Sequence, residues 1–134
     1  MNTFLIFTLI SCLAVPALAQ QNSSSNAESV DGPFVHTVYF WLNNPDSESD
    51  HNKLLEGLRM IEKIDLIQDG YIGVPAPTSR GVIDSSYDFS ITFIFENMED
   101  EQAYQTHPTH LEFVEKYSSL WDKVVVYDAV PPSE

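Results

Sequence analysis

Titratable chemistry is densest in the run Ala103-Tyr104-Gln105-Thr106-His107-Pro108-Thr109-His110. The residue before a proline avoids the α region, and proline suits the first position of a helix. His107 is therefore expected at an N-cap, with His110 in the turn behind it. The partial positive charge of a helix start disfavours imidazolium, so His110 should favour the neutral form, which can take a proton from a carbon acid. Tyr104, ending a preceding short helix, comes near that ring and can donate a hydrogen bond to a developing enolate oxygen. A purely structural arrangement uses the same residues: His107 caps the helix while Tyr104 and His110 pack with their polar tips satisfied. Spacing alone leaves both arrangements open.

Other candidate residues are weaker. His36 shares its strand parity with Val38 and Phe40, so it faces either the helices or a central cavity, and a satisfied core histidine is the default. A metal held by His107 and His110 needs a further ligand, and neither His51 nor Glu112 has a suitable spacing, so no metal is expected. No cofactor is expected either: no glycine-rich phosphate loop and no Gly-x-Ser-x-Gly elbow occurs, and no histidine is marked out as a haem ligand. Arg80, in a loop, reads as a solvated side chain or a sheet-end ion pair. Met60 and Met98 read as packing residues, and Trp41 and Trp121 as core or interface aromatics.

Around these residues, alternation along 34–42 predicts a strand with apolar groups on both faces. Asn43-Asn44-Pro45-Asp46 breaks it, and the segment 47–50 supplies caps and acids for a helix running to about Ile64, with Leu54, Leu55, Leu58 and Ile61 on its apolar stripe. Residues 70–74 read as a short strand, 75–81 as a proline-interrupted loop, and Tyr87, Phe89, Ile91, Phe93 and Phe95 as one face of a core strand. A short helix over 97–106, another from Pro108 to about Leu120, and a last strand over 123–130 complete the chain. The order β-α-β-β-α-β, with its second crossover split in two, predicts an α+β, ferredoxin-like domain: a four-stranded antiparallel sheet with helices on one face. The first and last strands are apolar on both sides, so the bare face calls for a partner, and a second copy of the chain would supply it as a homodimer.

The formal net charge is −14, from six Lys and Arg against twenty Asp and Glu. That field argues against nucleic acid and anionic membrane surfaces as partners. Residues 4–15 are an apolar run, and Ala17-Leu18-Ala19 supplies the small residues of a signal-peptidase site, so cleavage is expected after Ala19. Cys12, the only cysteine, could instead carry a lipid anchor within Leu9-Ile10-Ser11-Cys12, although that box leaves a very short apolar run before it. The expected layout is a signal peptide over 1–19, a flexible polar leader over 20–32, one domain over 33–131 and a tail over 132–134, in an exported protein, periplasmic or extracellular, that no later segment ties across a membrane.

His36-Thr37-Val38, Tyr87-Asp88-Phe89-Ser90, Tyr104-x-x-His107-Pro108-x-His110 and Trp121-Asp122-Lys123 together resemble the stress-responsive A/B barrel (Dabb) family over about residues 34–130. The resemblance implies a dimeric α+β barrel with a pocket between sheet and helices in each subunit. In a plant polyketide cyclase of that family, the matching tyrosine and second histidine are the acid/base pair of an intramolecular aldol closure, and they fall on Tyr104 and His110. His36 matches a pocket histidine, while Phe89 stands where the cyclase carries another. The candidate catalytic pair is thus Tyr104 and His110, and the candidate ligand-binding set is His36, Phe89, His107 and Trp121. Two functions follow: a dimeric module binding a small hydrophobic or aromatic molecule near His36, Tyr104 and His110, or a cofactor-free cyclase, isomerase or lyase with His110 as base.

Overall fold

The computed structural model describes residues 32–133. The expected signal peptide over 1–19, all but the last residue of the expected leader over 20–32, and Cys12 lie outside the described residues.

Alternating apolar residues make Phe34–Leu42 the first strand, β1, and helix α1 spans Glu48–Ile61. Ser47 caps α1 by accepting a bond from the Asp50 amide at 3.2 Å. The helix ends one turn short of Ile64, because Ile64 is itself held in a turn onto Ile61 and buried there. Strand β2 covers Ile67–Gly73, beginning three residues before the expected start. Gly70, which reads in sequence as a boundary, lies inside the strand: a Cβ there would come within 3.3 Å of the Phe93 ring, so a side chain would crowd the core.

Strand β3 is Phe89–Phe95 and helix α2 is Met98–Gln105, capped by Asn97 accepting from the Asp100 amide at 2.9 Å. Helix α3, Pro108–Tyr117, starts as the proline predicts: His107 is extended and its Nδ1 accepts from the Thr109 amide at 3.2 Å. A short 3-10 turn, Ser118–Leu120, replaces the expected end of that helix and leads into β4, Trp121–Ala129.

The sheet order is β2-β3-β1-β4, and every neighbouring pair is antiparallel. Period-two geometry assigns Phe34, His36, Val38, Phe40 and Leu42 to the helix side, with Phe89, Ile91, Phe93 and Phe95 opposite them. Leu54, Leu58 and Ile61 of α1, Tyr104 of α2, and Phe113 and Tyr117 of α3 close that side into the core. Complete burial of Leu54 and Leu58 contributes roughly 1.5–3 kcal/mol each. Val35, Thr37, Tyr39 and Trp41 turn to the other side and are only half-buried, and Tyr127 beside them is exposed. The architecture is the α+β, ferredoxin-like order read from the sequence, with the second crossover divided into α2 and α3. Among the described residues no helix is long and apolar enough to cross a membrane.

Candidate functional site

On the helix side, a cavity of about 320 Å3 opens beside edge strand β4, lined by His36, Tyr104, His110, Phe113, Trp121 and Val126 among others. It exists because β4 outruns its cover. Val124 and Val126 share the helix-side parity of Val38 and Phe40, yet remain 44 % and 46 % exposed, since the helices do not cover them. A larger, shallow hollow of about 460 Å3 lies on the opposite face among Tyr39, Trp41, Tyr87 and Tyr127. It contains no histidine, and the Trp41 ring is already faced by Lys123 Nζ at 3.8 Å. The acid/base groups point to the smaller cavity.

Tyr104 is 1 % exposed, with its ring 4.6 Å from that of His110, 6.0 Å from His36 and 5.1 Å from Phe95. Burial pushes the Tyr104 phenol well above its ordinary value, and the Glu101 carboxylate adds to this, so the hydroxyl stays protonated and available as a donor. His110 Nδ1 lies 3.2 Å from the Gln105 carbonyl oxygen. A carbonyl can only accept, so Nδ1 carries the proton and Nε2 keeps a free lone pair. Burial holds the His110 imidazole below its ordinary value; the bond to Gln105 opposes this, while the neighbouring His36 and His107 rings reinforce it. Neutral at physiological pH, with its tautomer fixed, this ring is suited to accept a proton at Nε2.

His36 is 5 % exposed, and its Nδ1 lies 2.7 Å from Asp128 Oδ1 on the paired strand and 4.0 Å from Glu101 Oε1 on α2. Of the sequence-derived candidates, the fold brings His36, Tyr104, His110 and Trp121 around one cavity. Trp121 reaches it by stacking on Phe113 at 5.6 Å and 23°. Phe89 and His107 fall elsewhere. Phe89 is buried next to the His51 ring, 5.5 Å away, and His107 turns to a separate depression with Met60, Ile64 and Asp65. Committing Nδ1 to the Thr109 amide fixes His107 as a cap.

Glu101 and Asp128 complete the cluster around His36, and the sequence carries a signal for each. Asp128 shares parity with Val124 and Val126, which directs its carboxylate to the helix side. Glu101 precedes Tyr104 by three residues on α2 and therefore lies on the same buried stripe.

Among known proteins, olivetolic acid cyclase of Cannabis sativa is 33 % identical over 48 residues, 36 % of this chain, so the match spans about half (48 %) of that relative's length. The crystal structure of a Dabb family protein with a ferredoxin-like fold from Mesorhizobium loti superposes with a TM-score of 0.64 at 22 % identity, covering 76 % of this chain and 99 % of that one. A dimeric ferredoxin-like protein from Thermobifida fusca gives 0.61 at 17 % identity, covering 79 % and 97 %. Residues 34–131 match the family described as Stress responsive A/B Barrel Domain, Dabb, which is nearly the whole of the described fold. The chain belongs to the stress-responsive A/B barrel family.

Proposed function

We propose that this is an exported, homodimeric Dabb-domain protein that binds a small hydrophobic or aromatic molecule in the cavity bordered by His36, Tyr104 and His110. The observation that carries the reading is the convergence of three polar rings from β1, α2 and α3 on a hollow whose other walls are Phe40, Phe113, Trp121 and valines. Mostly apolar walls with a few converging polar groups are the usual make-up of a small-molecule site. Export rests on the apolar run 4–15 and the Ala17-Leu18-Ala19 site. Dimerisation rests on the half-buried Val35, Tyr39, Trp41 and Val125 of the open sheet face, and on the dimeric state of the Thermobifida fusca neighbour.

A second reading, cofactor-free cyclase, isomerase or lyase chemistry, is favoured by the fixed tautomer of His110. Nε2 would take a proton from the carbon next to a ligand carbonyl, and the Tyr104 hydroxyl would donate to the enolate oxygen as charge develops there. The polyketide cyclase relative supports that class of reaction. The test is a structure of the dimer after incubation with periplasmic extract, followed by binding and turnover assays of the recovered molecule. Density in the cavity supports the binding reading; a cavity that stays empty and closed removes both. Turnover lost with binding kept in Tyr104→Phe and His110→Ala selects the enzyme, and absence of turnover in the wild type selects the binder.

A further inference from the structure

We propose that His36, Glu101 and Asp128 form a site for a divalent transition-metal ion of the zinc class, which ties edge strand β4 to α2 next to the ligand cavity. The donors come from β1, α2 and β4, and one ligand atom from each lies within 4.8 Å of the other two. His36 Nδ1 is 2.7 Å from Asp128 Oδ1 and 4.0 Å from Glu101 Oε1. An ion holding its ligands at about 2.1 Å separates them by roughly 3.4 Å in a tetrahedron. Occupancy therefore asks the Asp128 carboxylate to ease away from the ring and Glu101 to draw in, both by side-chain rotation.

Charge argues for the ion. Two carboxylates converge on one imidazole, and among the described residues neither has a Lys or Arg nitrogen within 4.0 Å. Even with His36 protonated, one negative charge is uncompensated, and the Glu101 side chain is only 10 % exposed. A buried carboxylate in that position is costly unless a cation faces it. The donor set of one imidazole nitrogen and two carboxylate oxygens suits zinc and its first-row neighbours better than calcium or magnesium, which prefer oxygen alone. Gln105 Nε2 donates to Glu101 Oε1 at 2.7 Å and would orient that ligand. The Asp128 side chain, 45 % exposed, provides an entry path.

The mechanical consequence falls on the weakest part of the fold. The helices leave Val124 and Val126 of β4 half-exposed, yet the cavity uses them as a wall; an ion shared with α2, which carries Tyr104, would hold the two elements together. The test is titration of the chelator-treated, untagged full chain with Zn2+ by calorimetry, with thermal unfolding followed in parallel. One ion per chain and a raised Tm are expected, with affinity falling by about 100-fold in Glu101→Gln. X-ray absorption of the zinc-loaded wild type should show one imidazole and oxygen ligands. No uptake at millimolar Zn2+, unchanged uptake in Glu101→Gln, or a spectrum with no imidazole or with two would overturn the site. Should Glu101→Gln fail to fold, the wild-type spectrum decides alone.

Discussion

Gln105 and His110 meet across the break between α2 and α3, with the Gln105 carbonyl oxygen 3.2 Å from His110 Nδ1. The split in the second crossover is what makes this contact: one continuous helix would spend that carbonyl on a backbone amide. Pro108 enforces the split, since it has no amide to give and bars His107 from helical geometry. A sequence feature that looks like punctuation therefore sets the protonation pattern of the ring most able to act as a base.

The first prediction concerns pH. Because burial lowers the His110 value in the folded protein, the native state binds this proton more weakly than the unfolded chain does. Its contribution to stability is thus fully present above the ordinary value of 6.5 and is lost as pH falls from there through the depressed folded value. Urea midpoints measured against pH should decline in that window for the wild type and decline less for His110→Asn. On the enzyme reading, the acid limb of kcat/KM falls below pH 6.5, since Nε2 stays free beyond the point where an ordinary imidazole protonates. An acid limb above that value contradicts the role.

Tyr104→Phe isolates the hydroxyl, since the ring and its packing against Phe93 and Phe95 are kept. If the cavity is catalytic, kcat should fall by about 100-fold or more while ligand affinity changes little, the usual outcome of losing one donor to a developing oxyanion. Equal loss in kcat and affinity would make the hydroxyl a binding group only.

Gly57 sets the spacing of α1 from α3. A Cβ there would lie 2.8 Å from Tyr117 Cδ2 and 3.0 Å from Phe113 Cδ2, and both rings are buried. Alanine would bring a helix-propensity gain of about 1 kcal/mol, but overpacking typically costs about 1–3 kcal/mol. Gly57→Ala should therefore be less stable, by about 1 kcal/mol in equilibrium urea unfolding, and a stabilised variant would show that the two helices can part freely.

The open face gives the fourth prediction. Val125 sits on it, in register with Tyr39 and half-buried within one chain. In a homodimer closed by that face, Val125→Glu would bury a carboxylate in the apolar contact. Sedimentation analysis should give a dimer for the wild type and a monomer for the variant. A wild-type monomer at high concentration would remove the pairing.

Most of the fold was legible because its signals are local. Alternation from Phe34 to Leu42 and from Phe89 to Phe95, the Ser47 and Asn97 caps and the His107-Pro108 step each report on a few neighbouring residues. The start of β2 falls three residues before Gly70, because Gly70 lies inside the strand, where its missing side chain makes room for Phe93. The site was half legible for the same reason. Tyr104 and His110 are close in sequence, whereas His36 and Asp128 are 92 residues apart and meet only through the β1–β4 register. His107 had two readings in sequence, cap or ligand contact, and the structure shows it capping α3 through the bond from the Thr109 amide.

Nitrogen-15 NMR of the His110 ring in the ligand-free protein is the most direct test, since a proton acceptor in the cavity depends on that imidazole. The expected spectrum shows a proton on Nδ1, an unprotonated Nε2 and a titration midpoint below 6.5. A proton on Nε2 in the neutral ring, or a midpoint at or above that value, would contradict it.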